Sequence, residues 1–337
     1  MTFSTISPVL PSSPVSPDDD SCFDRTASPS PVFSKETLQQ CGVSRVIQIR
    51  PIGKQRGLDT QALIHFLEQA ARLGYNAVNI DGLEPFLYSG LERLVSATHS
   101  LGYTNAVTTN GSLLQSQRAQ RILRHLDLVT IGIDGKQEVH DKLHKHEGAF
   151  SQLLEGLEVL KGSIEKFGLT HTLLPDSWQI LSWLTDFALN HKADCLHLRS
   201  HKLSDNTDLY RAYISHYYLK SFSEPALTIR LDLLHRDNII ANPNFPSLFN
   251  ELIIDEAGDI LPIAYGCSKF FRIGNIYFRN SLDEMLNRFK MEKFHTLAQL
   301  YNETYREVLA NKESEIVNWN GMIVGNSHNL SQSTPSY

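Results

Sequence analysis

Short β-branched stretches alternate with longer amphipathic stretches from residue 45 to residue 199. Residues 45–50 have strand composition, residues 60–73 carry apolar side chains at helical spacing, and Gly74 can end that helix. Further strands are predicted at residues 76–80, 104–109, 126–133, 169–174 and 195–199, with helices at 91–101, 113–123, 150–164 and 178–189. Such alternation is typical of parallel strands joined by right-handed helical crossovers. The sequence therefore predicts an α/β fold, a partial (β/α)6 TIM-type barrel that is two units short of a closed one.

The composition argues against several classes of protein. With 41% hydrophobic residues and a mean hydropathy of -0.24, the 337 residues can form one large domain or two ordinary ones. A net charge of -6 argues against nucleic-acid binding. No apolar run approaches the roughly 20 residues that cross a membrane, and the N-terminus lacks the pattern of a secretion signal. We expect a cytoplasmic protein that binds neither nucleic acid nor membrane.

Four regions of the chain differ in composition. Residues 1–36 are rich in proline and serine, which predicts a disordered tail. Residues 43–235 hold the strand–helix units. Residues 245–292 predict a small extension that contains a hairpin, with Gly258 in its turn. Residues 293–337 predict a helix at 297–309, separate from an earlier helix that Ser281 caps, and then a loose tail.

Polar turns that contain glycine follow three of the predicted strands. They are Asp81-Gly82, Asn110-Gly111 and Asp134-Gly135. Because the C-terminal ends of parallel strands form one edge, where loops bind ligands, these turns predict a ligand-facing rim. Taken singly, such a turn is better explained as an ordinary connection, with Pro85 opening a helix after the first; only their repetition favours a rim. A Rossmann fold is not predicted, because no Gly-x-Gly-x-x-Gly follows the first strand.

Five segments, taken in order, resemble the radical SAM superfamily, particularly its peptide-maturing members with a SPASM or twitch extension. Gly82-Leu83-Glu84-Pro85 stands where that family has Gly-Gly-Glu-Pro. The segments 108–114 and 131–141 resemble the family's Thr-Asn-Gly and Asp-Gly...His-Asp stretches, and 258–263 and 274–282 resemble its extension. The resemblance implies a pocket for S-adenosyl-L-methionine, and it places the following residues there: Gly82, Glu84, Pro85, Asn110 and Asp134.

The family's defining Cys-x-x-x-Cys-x-x-Cys loop, which follows the first strand and holds a [4Fe-4S] cluster, has no counterpart here. Residues 50–59 contain no cysteine, and the chain's four cysteines stand far apart, at Cys22, Cys41, Cys195 and Cys267. Because such a cluster needs thiolate ligands, we expect no [4Fe-4S] cluster on this chain and predict no metal ligands. In the extension, Ile263 replaces a cysteine of the family pattern and leaves Cys267 alone.

Several other polar residues are open to two interpretations. Leu83 replaces the second glycine of the family motif, and its side chain would either crowd the cofactor or point into the barrel wall. Arg199 could bind a carboxylate or form a structural salt bridge. Lys54 and Arg56 could bind an anion or lie in a solvated turn. Three histidines could bind zinc, but a solvated hydrophilic connection is the favoured interpretation of His140, His144 and His146.

The resemblance and the missing loop lead to three hypotheses about function. The favoured one is a protein that has lost its cluster and acts as a non-catalytic partner, binding a peptide substrate or an active maturase subunit. The first alternative is an active radical SAM peptide maturase, with its cluster supplied unusually or its cysteine loop omitted from this sequence. The second is a cluster-free enzyme that binds S-adenosyl-L-methionine. No catalytic residue is predicted.

Overall fold

The fold is taken from a computed structural model, which describes residues 45–53, 57–173, 177–200, 226–236, 239, 249–311 and 316–333. The predicted tail at 1–36 lies outside the described residues, and so do Cys22, Cys41, Lys54 and Arg56.

Parallel strands form the main part of one sheet, as the sequence predicts. They follow each other in chain order and each pairs with the next: β1 (Val46–Ile49), β2 (Ala77–Ile80), β3 (Thr104–Thr109), β4 (Leu128–Gly132), β5 (Phe167–Leu173), β6 (Cys195–Ser200) and β7 (Thr228–Leu231). The alternation of strands and helices and the parallel pairing confirm the α/β class and a partial-barrel arrangement.

Helices connect these strands: α1 (Thr60–Arg72), α2 (Leu91–Ser100), α3 (Gln117–Leu123), α4 (Gln137–His144), α5 (Ala149–Ser163) and α6 (Leu181–Asn190). In two of these helices a side chain just before the first turn accepts a hydrogen bond from a backbone N of that turn. Asp59 accepts a hydrogen bond from Ala62 N in α1, and Ser116 does the same from Ala119 N in α3. Because Ser116 caps α3, that helix begins later than the residue 113 predicted from periodicity.

The extension adds strands to the opposite edge of the same sheet. β9 (Glu251–Ile254) and β10 (Asp259–Leu261) form the predicted hairpin, with Gly258 at φ +80° in its turn, and β11 (Gly274–Asn275) pairs with β10. β9 lies parallel to β1, so the sheet order is β11-β10-β9-β1-β2-β3-β4-β5-β6-β7. β8 (Leu234–His235) and β12 (Ile316–Val317) form a separate two-stranded ladder.

The C-terminal region differs from the prediction in two places. One helix, α7 (Leu282–Ala310), replaces the two predicted helices. Its middle contains no glycine or proline that would end the helix. Side chains there, such as that of Met291, are exposed to solvent. α8 (Trp319–Ser333) lies where a loose tail was predicted, and it buries Ile323 and Leu330 against the rest of the protein. None of the described helices is long and apolar enough to cross a membrane.

Candidate functional site at the C-terminal edge of the sheet

The two faces of the parallel sheet differ in chemistry. Since successive strand residues point to opposite faces, Ile47, Val78 and Ile131 lie on the face that packs against the helices, in one apolar cluster. On the other face, a small apolar cluster of Val46, Ala77, Ala106 and Leu128 lies at the N-terminal ends of the strands. The positions beyond it, toward the C-terminal ends, are polar: Gln48, Asn79, Thr130, Thr170 and His197. Both polar atoms of the Asn79 side chain and the hydroxyls of Thr130 and Thr170 are buried without a hydrogen-bond partner among the described residues. The C-terminal part of this face is therefore built for polar contacts, in contrast to the apolar face.

An ion-pair network lies at the C-terminal ends of β1, β2 and β6. Nε of Arg50 lies 3.1 Å from Oδ1 of the buried Asp81, and Nη2 of Arg199 lies 3.9 Å from Oδ2 of the same carboxylate. The guanidinium of Arg50 also stacks on the ring of Tyr265, 3.4 Å from its centroid. Arg199 thus has a carboxylate of the chain itself as its neighbour, the structural salt bridge that was one of its two interpretations.

The turn after β2 is shaped by its glycine and proline. Gly82 has φ +117°, a backbone conformation that side chains disfavour, and Pro85 begins a short 3-10 helix, Pro85–Leu87. The Leu83 side chain is 68% exposed, so it does not pack into the barrel wall. One of the two positions considered for Leu83 is therefore wrong, because the turn points this side chain to solvent.

Glu84 joins the ends of β2 and β3 through a buried carboxylate. Its Oε1 accepts hydrogen bonds from Phe86 N at 2.9 Å and from the Thr109 hydroxyl at 2.8 Å, and its Oε2 accepts one from Asn110 N at 2.8 Å. Burial raises the pKa of Glu84 despite these donors, which lower it. Both carboxylate oxygens already have partners within the chain, so Glu84 holds the rim together; contact with a cofactor stays a prediction.

The Thr-Asn-Gly turn after β3 rests directly on helix α5. Oδ1 of Asn110 accepts hydrogen bonds from the backbone N and the hydroxyl of Ser112, at 2.9 and 2.7 Å. Gly111 has φ +85°, and a Cβ built on Gly156 of α5 would lie 2.8 Å from the Gly111 carbonyl oxygen. The turn and the helix therefore touch backbone to backbone, and only glycine at 156 permits it.

Asp134, after β4, lies beside two histidines of α4. Its Oδ2 is 2.9 Å from Nε2 of His144, and its backbone N donates to Nδ1 of His140 at 3.2 Å. His140 is 1% exposed, its ring stacks on that of His144, and burial lowers its pKa, as does the nearby His144. The favoured interpretation of these histidines as a solvated connection is wrong for His140 and His144, since they lie in a helix and cluster with Asp134. His146 lies outside the cluster and contacts Gln152.

The loop after β1 is short and closed on itself in the described part. Ile52 and Gly57 form an antiparallel bridge, and Leu58 N donates to the Pro51 carbonyl at 2.8 Å. A cavity of about 780 Å³ lies between this loop and the extension. Residues of both line it, including Glu256 and Lys269 of the extension. Where the family resemblance places three cluster thiolates, the chain has no cysteine.

The two cysteines within the described residues are free and do not lie in that loop. Cys195 begins β6, at the edge of the sheet opposite to the rim, and Cys267 is buried in the extension. Burial raises the pKa of each thiol to about 11. Both are therefore protonated near neutral pH and poor ligands for iron.

We expect these two thiols to be unreactive in the folded protein. In a Cys22→Ser/Cys41→Ser variant, a chromogenic disulfide reagent should label both thiols far more slowly under native conditions than in denaturant, because Cys267 is buried, Cys195 is partly buried and both thiols stay protonated. The absorbance of the released product gives the number of labelled thiols. Fast native labelling would show that one of the two sites opens to solvent.

A second expectation concerns pH. His171 is buried, with Nδ1 2.7 Å from the Ile133 carbonyl oxygen and Nε2 2.8 Å from the Ser177 hydroxyl, and burial lowers its pKa. The unfolded chain then takes up a proton more readily than the folded one. Neutral His171 makes its full contribution to the free energy of unfolding above the ordinary histidine pKa of about 6.5. That contribution is lost as the pH falls from there through the lower pKa that His171 has in the folded protein. Melting temperatures should therefore drop between about pH 7.5 and about pH 5.5, and less steeply in His171→Gln. If the melting temperature fell equally steeply with pH in both proteins, burial of a neutral His171 would not be the cause.

Comparisons with known proteins agree with the fold. Residues 39–183 match the family model described as the Radical SAM superfamily. This match, which covers less than half of the chain, identifies a radical SAM domain in its N-terminal part. It is 28% identical over 122 residues to an AdoMet-dependent heme synthase of Oleidesulfovibrio alaskensis, covering 36% of this chain and 31% of that protein. It is 30% identical over 105 residues to a probable GTP 3',8-cyclase of Halobacterium salinarum, covering 31% of this chain and 29% of that protein. The matches thus span about a third of these curated radical SAM relatives.

Solved structures of radical SAM proteins share the fold over a longer part of the chain. Native anSMEcpe with bound AdoMet and Kp18Cys peptide superposes with a TM-score of 0.60 at 15% identity, over 85% of this chain and 96% of that one. Streptococcus suis SuiB bound to precursor peptide SuiA gives 0.54 at 17% identity, over 67% of this chain and 62% of that one. At such identities the likeness establishes the fold, and the radical SAM resemblance of the sequence is confirmed.

The sequence pointed to Gly82, Glu84, Asn110 and Asp134, and the structure places all four in turns that follow β2, β3 and β4. It did not point to Arg50, Thr109 or Tyr265. A signal for Arg50 existed, because it shares the polar face of β1 with Gln48. No local signal existed for Tyr265, which lies more than 200 residues away in the chain and reaches Arg50 only through the pairing of β1 with β9.

Proposed function

We propose that this radical SAM protein holds no [4Fe-4S] cluster of its own and acts as a non-catalytic partner, or peptide-binding component, in peptide modification. The observation that carries the proposal is the set of side chains at the end of β1. A cluster at that place needs thiolates, and residues 50–59 supply none. Arg50 instead places a guanidinium there, paired with Asp81 and stacked on Tyr265. A positive group of this kind does not ligate iron.

The described cysteines give further support. Cys195 lies at the far edge of the sheet from Arg50, and Cys267 is buried in the extension with a protonated thiol. Cys195 cannot reach the rim without unfolding its strand, and Cys267, which lines the cavity beside the loop after β1, is a single thiol where a cluster needs three. The residues present therefore do not fit a cluster at the family's position.

Peptide binding is supported by the side chains around the rim. Large apolar side chains are exposed in connections that follow strands, where they have no core to fill: Leu83, Leu87, Trp178, Tyr277 and Phe278. These connections lie at the C-terminal edge of the sheet, the edge at which parallel α/β folds bind ligands. Two of the similar solved structures, SuiB and anSMEcpe, are described with a bound peptide, which makes a peptide the ligand class to test first.

One alternative also has an observation in its favour. The Gly82–Pro85 and Thr109–Gly111 segments keep most of the family's sequence pattern at the rim, which supports a cluster-free protein that still binds S-adenosyl-L-methionine. Since the Glu84 carboxylate is engaged by Phe86, Thr109 and Asn110, the chain would offer such a ligand backbone groups of the turn and the Asp134 carboxylate.

Anaerobic reconstitution with iron and sulfide tests the proposal directly. We expect substoichiometric iron and no charge-transfer absorption of a cluster. Incorporation of about four iron atoms per chain with that absorption would reject the proposal in favour of an active enzyme. Calorimetric titration of the iron-free protein with S-adenosyl-L-methionine follows: saturable binding would support the cluster-free alternative, and no binding would support the partner role.

A pair of exposed leucines provides a matched control for that titration. If the cofactor binds at the turn, Leu83→Ala should tighten binding, because Leu83 stands in place of the family's glycine beside the cofactor. Leu87→Ala, which removes an equally exposed leucine from the same turn, should leave binding unchanged. Equal effects of the two substitutions would place the ligand elsewhere.

A further inference from the structure

We propose that Asp134, His140 and His144 form a binding site for a divalent transition-metal ion, of which zinc is the first to test. Two imidazoles and a carboxylate are ligands that zinc takes in proteins, with a water in the fourth position of an open site. This site is independent of iron–sulfur chemistry and is additional to the proposed function.

The geometry brings the three donors together. One donor atom from each residue can be chosen so that all three lie within 4.8 Å of one another. His140 and His144 are four residues apart on α4 and therefore project from the same side of the helix. Asp134 reaches them from the end of β4, across the turn at Gly135. Donors bound to one zinc ion at about 2.0–2.2 Å lie closer together than this limit, so the three side chains must rotate toward one another to bind one ion.

The hydrogen bonds of the metal-free site also favour exchange of a proton for a metal ion. The 2.9 Å contact between His144 Nε2 and Asp134 Oδ2 requires one proton, and an ion between these atoms replaces it. The contact from Asp134 N to His140 Nδ1, at 3.2 Å, is at the long end of the range, so little is lost if the ion takes that lone pair.

The surroundings hold the ligands and leave a way in. The Phe150 ring packs edge-on against His140, and the Asp141 carboxylate accepts hydrogen bonds from Phe150 N and Gly148 N, which fixes the connection from α4 to α5. The Asp134 and His144 side chains are 33% and 26% exposed, so an ion and a water molecule can reach them from solvent.

Cobalt(II) provides a spectroscopic test on the full-length, tag-free chain after treatment with a chelator. We expect one equivalent of Co²⁺ to bind with visible d–d absorption, without the thiolate charge-transfer band that cysteine ligands would add, and Zn²⁺ to displace it. A rise in melting temperature with Zn²⁺ should accompany binding, since the folded state alone holds the site. Absence of a saturable spectrum would overturn the proposal.

Substitutions identify the ligands. His144→Ala should weaken Co²⁺ binding by more than the roughly 10–100-fold that loss of an outer partner costs. Asp134→Asn, which keeps the shape of the side chain but removes its charge, should also weaken binding. His146→Ala is the matched control, because it removes a histidine two residues away that lies outside the cluster. The metal-free melting temperature of His144→Ala should stay near that of the unchanged protein, which shows that the variant folds. Equal affinity of His144→Ala and His146→Ala would reject the site.

Discussion

Replacing Glu84 with alanine is expected to lower the free energy of unfolding by about 3 kcal/mol. The substitution leaves three buried donors without an acceptor: the backbone N of Phe86, the backbone N of Asn110 and the hydroxyl of Thr109. It also removes the hydrogen bonds that join the turn after β2 to the end of β3, so we expect the rim to unfold before the rest of the sheet. Urea unfolding, with the slope compared between proteins, measures the loss.

Two further variants make this prediction specific to the buried carboxylate. The free energy of unfolding of Glu84→Gln should lie between those of the unchanged protein and Glu84→Ala. The amide oxygen can still accept a hydrogen bond, but the amide nitrogen faces a donor. Glu92→Ala removes the same residue type from the exposed surface of α2, where its partner is Arg121, and should change the stability little. If Glu92→Ala cost as much as Glu84→Ala, the hydrogen bonds of the rim would not be the cause.

A methyl group at position 156 is expected to destabilise the protein by about 2 kcal/mol, although alanine favours helices over glycine. In Gly156→Ala the new Cβ would meet the Gly111 carbonyl oxygen, which belongs to backbone and cannot rotate away. Helix α5 must then move off the Thr-Asn-Gly turn. Thermal and urea unfolding of this variant measure the cost.

The same helix supplies a control of opposite sign. A Cβ at Gly162 of α5 would meet no atom within 4 Å, so Gly162→Ala should raise stability by up to about 1 kcal/mol. Opposite signs for two identical substitutions in one helix can arise only from what each methyl group touches. A gain in both variants would mean that α5 does not rest on the turn as closely as described.

The order of strands and helices could be predicted because it depends on local periodicity. β2 and β4 are short, mostly apolar stretches that contain β-branched residues, and glycine or a capping side chain marks the ends of the neighbouring helices. The hairpin of β9 and β10 could also be predicted, since Gly258 provides its turn. These features need no knowledge of distant parts of the chain.

Helix α4 shows why the candidate metal site could not be predicted in the same way. Its apolar residues Val139 and Leu143 are 48% and 49% exposed, whereas His140 between them is buried. Periodicity would place the apolar side chains inward, but the space behind α4 is shaped by Phe150 and Asp134 instead. A buried histidine among exposed apolar residues gives no pattern that a single sequence can reveal.

The ion pair of Arg50 with Asp81 depended on tertiary structure for a different reason. Alternation along β1 and β2 assigns both residues to the polar face, but it does not give the distance between them or the distance from Asp81 to Arg199. Those distances follow from how the strands twist and curve across several neighbours, which the composition of any one strand does not encode. The same holds for the contact of Arg50 with Tyr265.

The pairing of β1 with β9 has a consequence for how the protein is made. Gln48 and Glu251, which lie 203 residues apart in the chain, share a hydrogen bond across this pair. During synthesis β1 therefore gains one neighbour early, from β2, and waits for the other until nearly the whole sheet has been translated. Until then a buried strand has one open edge, which is a template for pairing with another chain. A nascent or truncated chain that stops before residue 251 should be the form most prone to aggregate, and a chaperone that covers this edge would act on it.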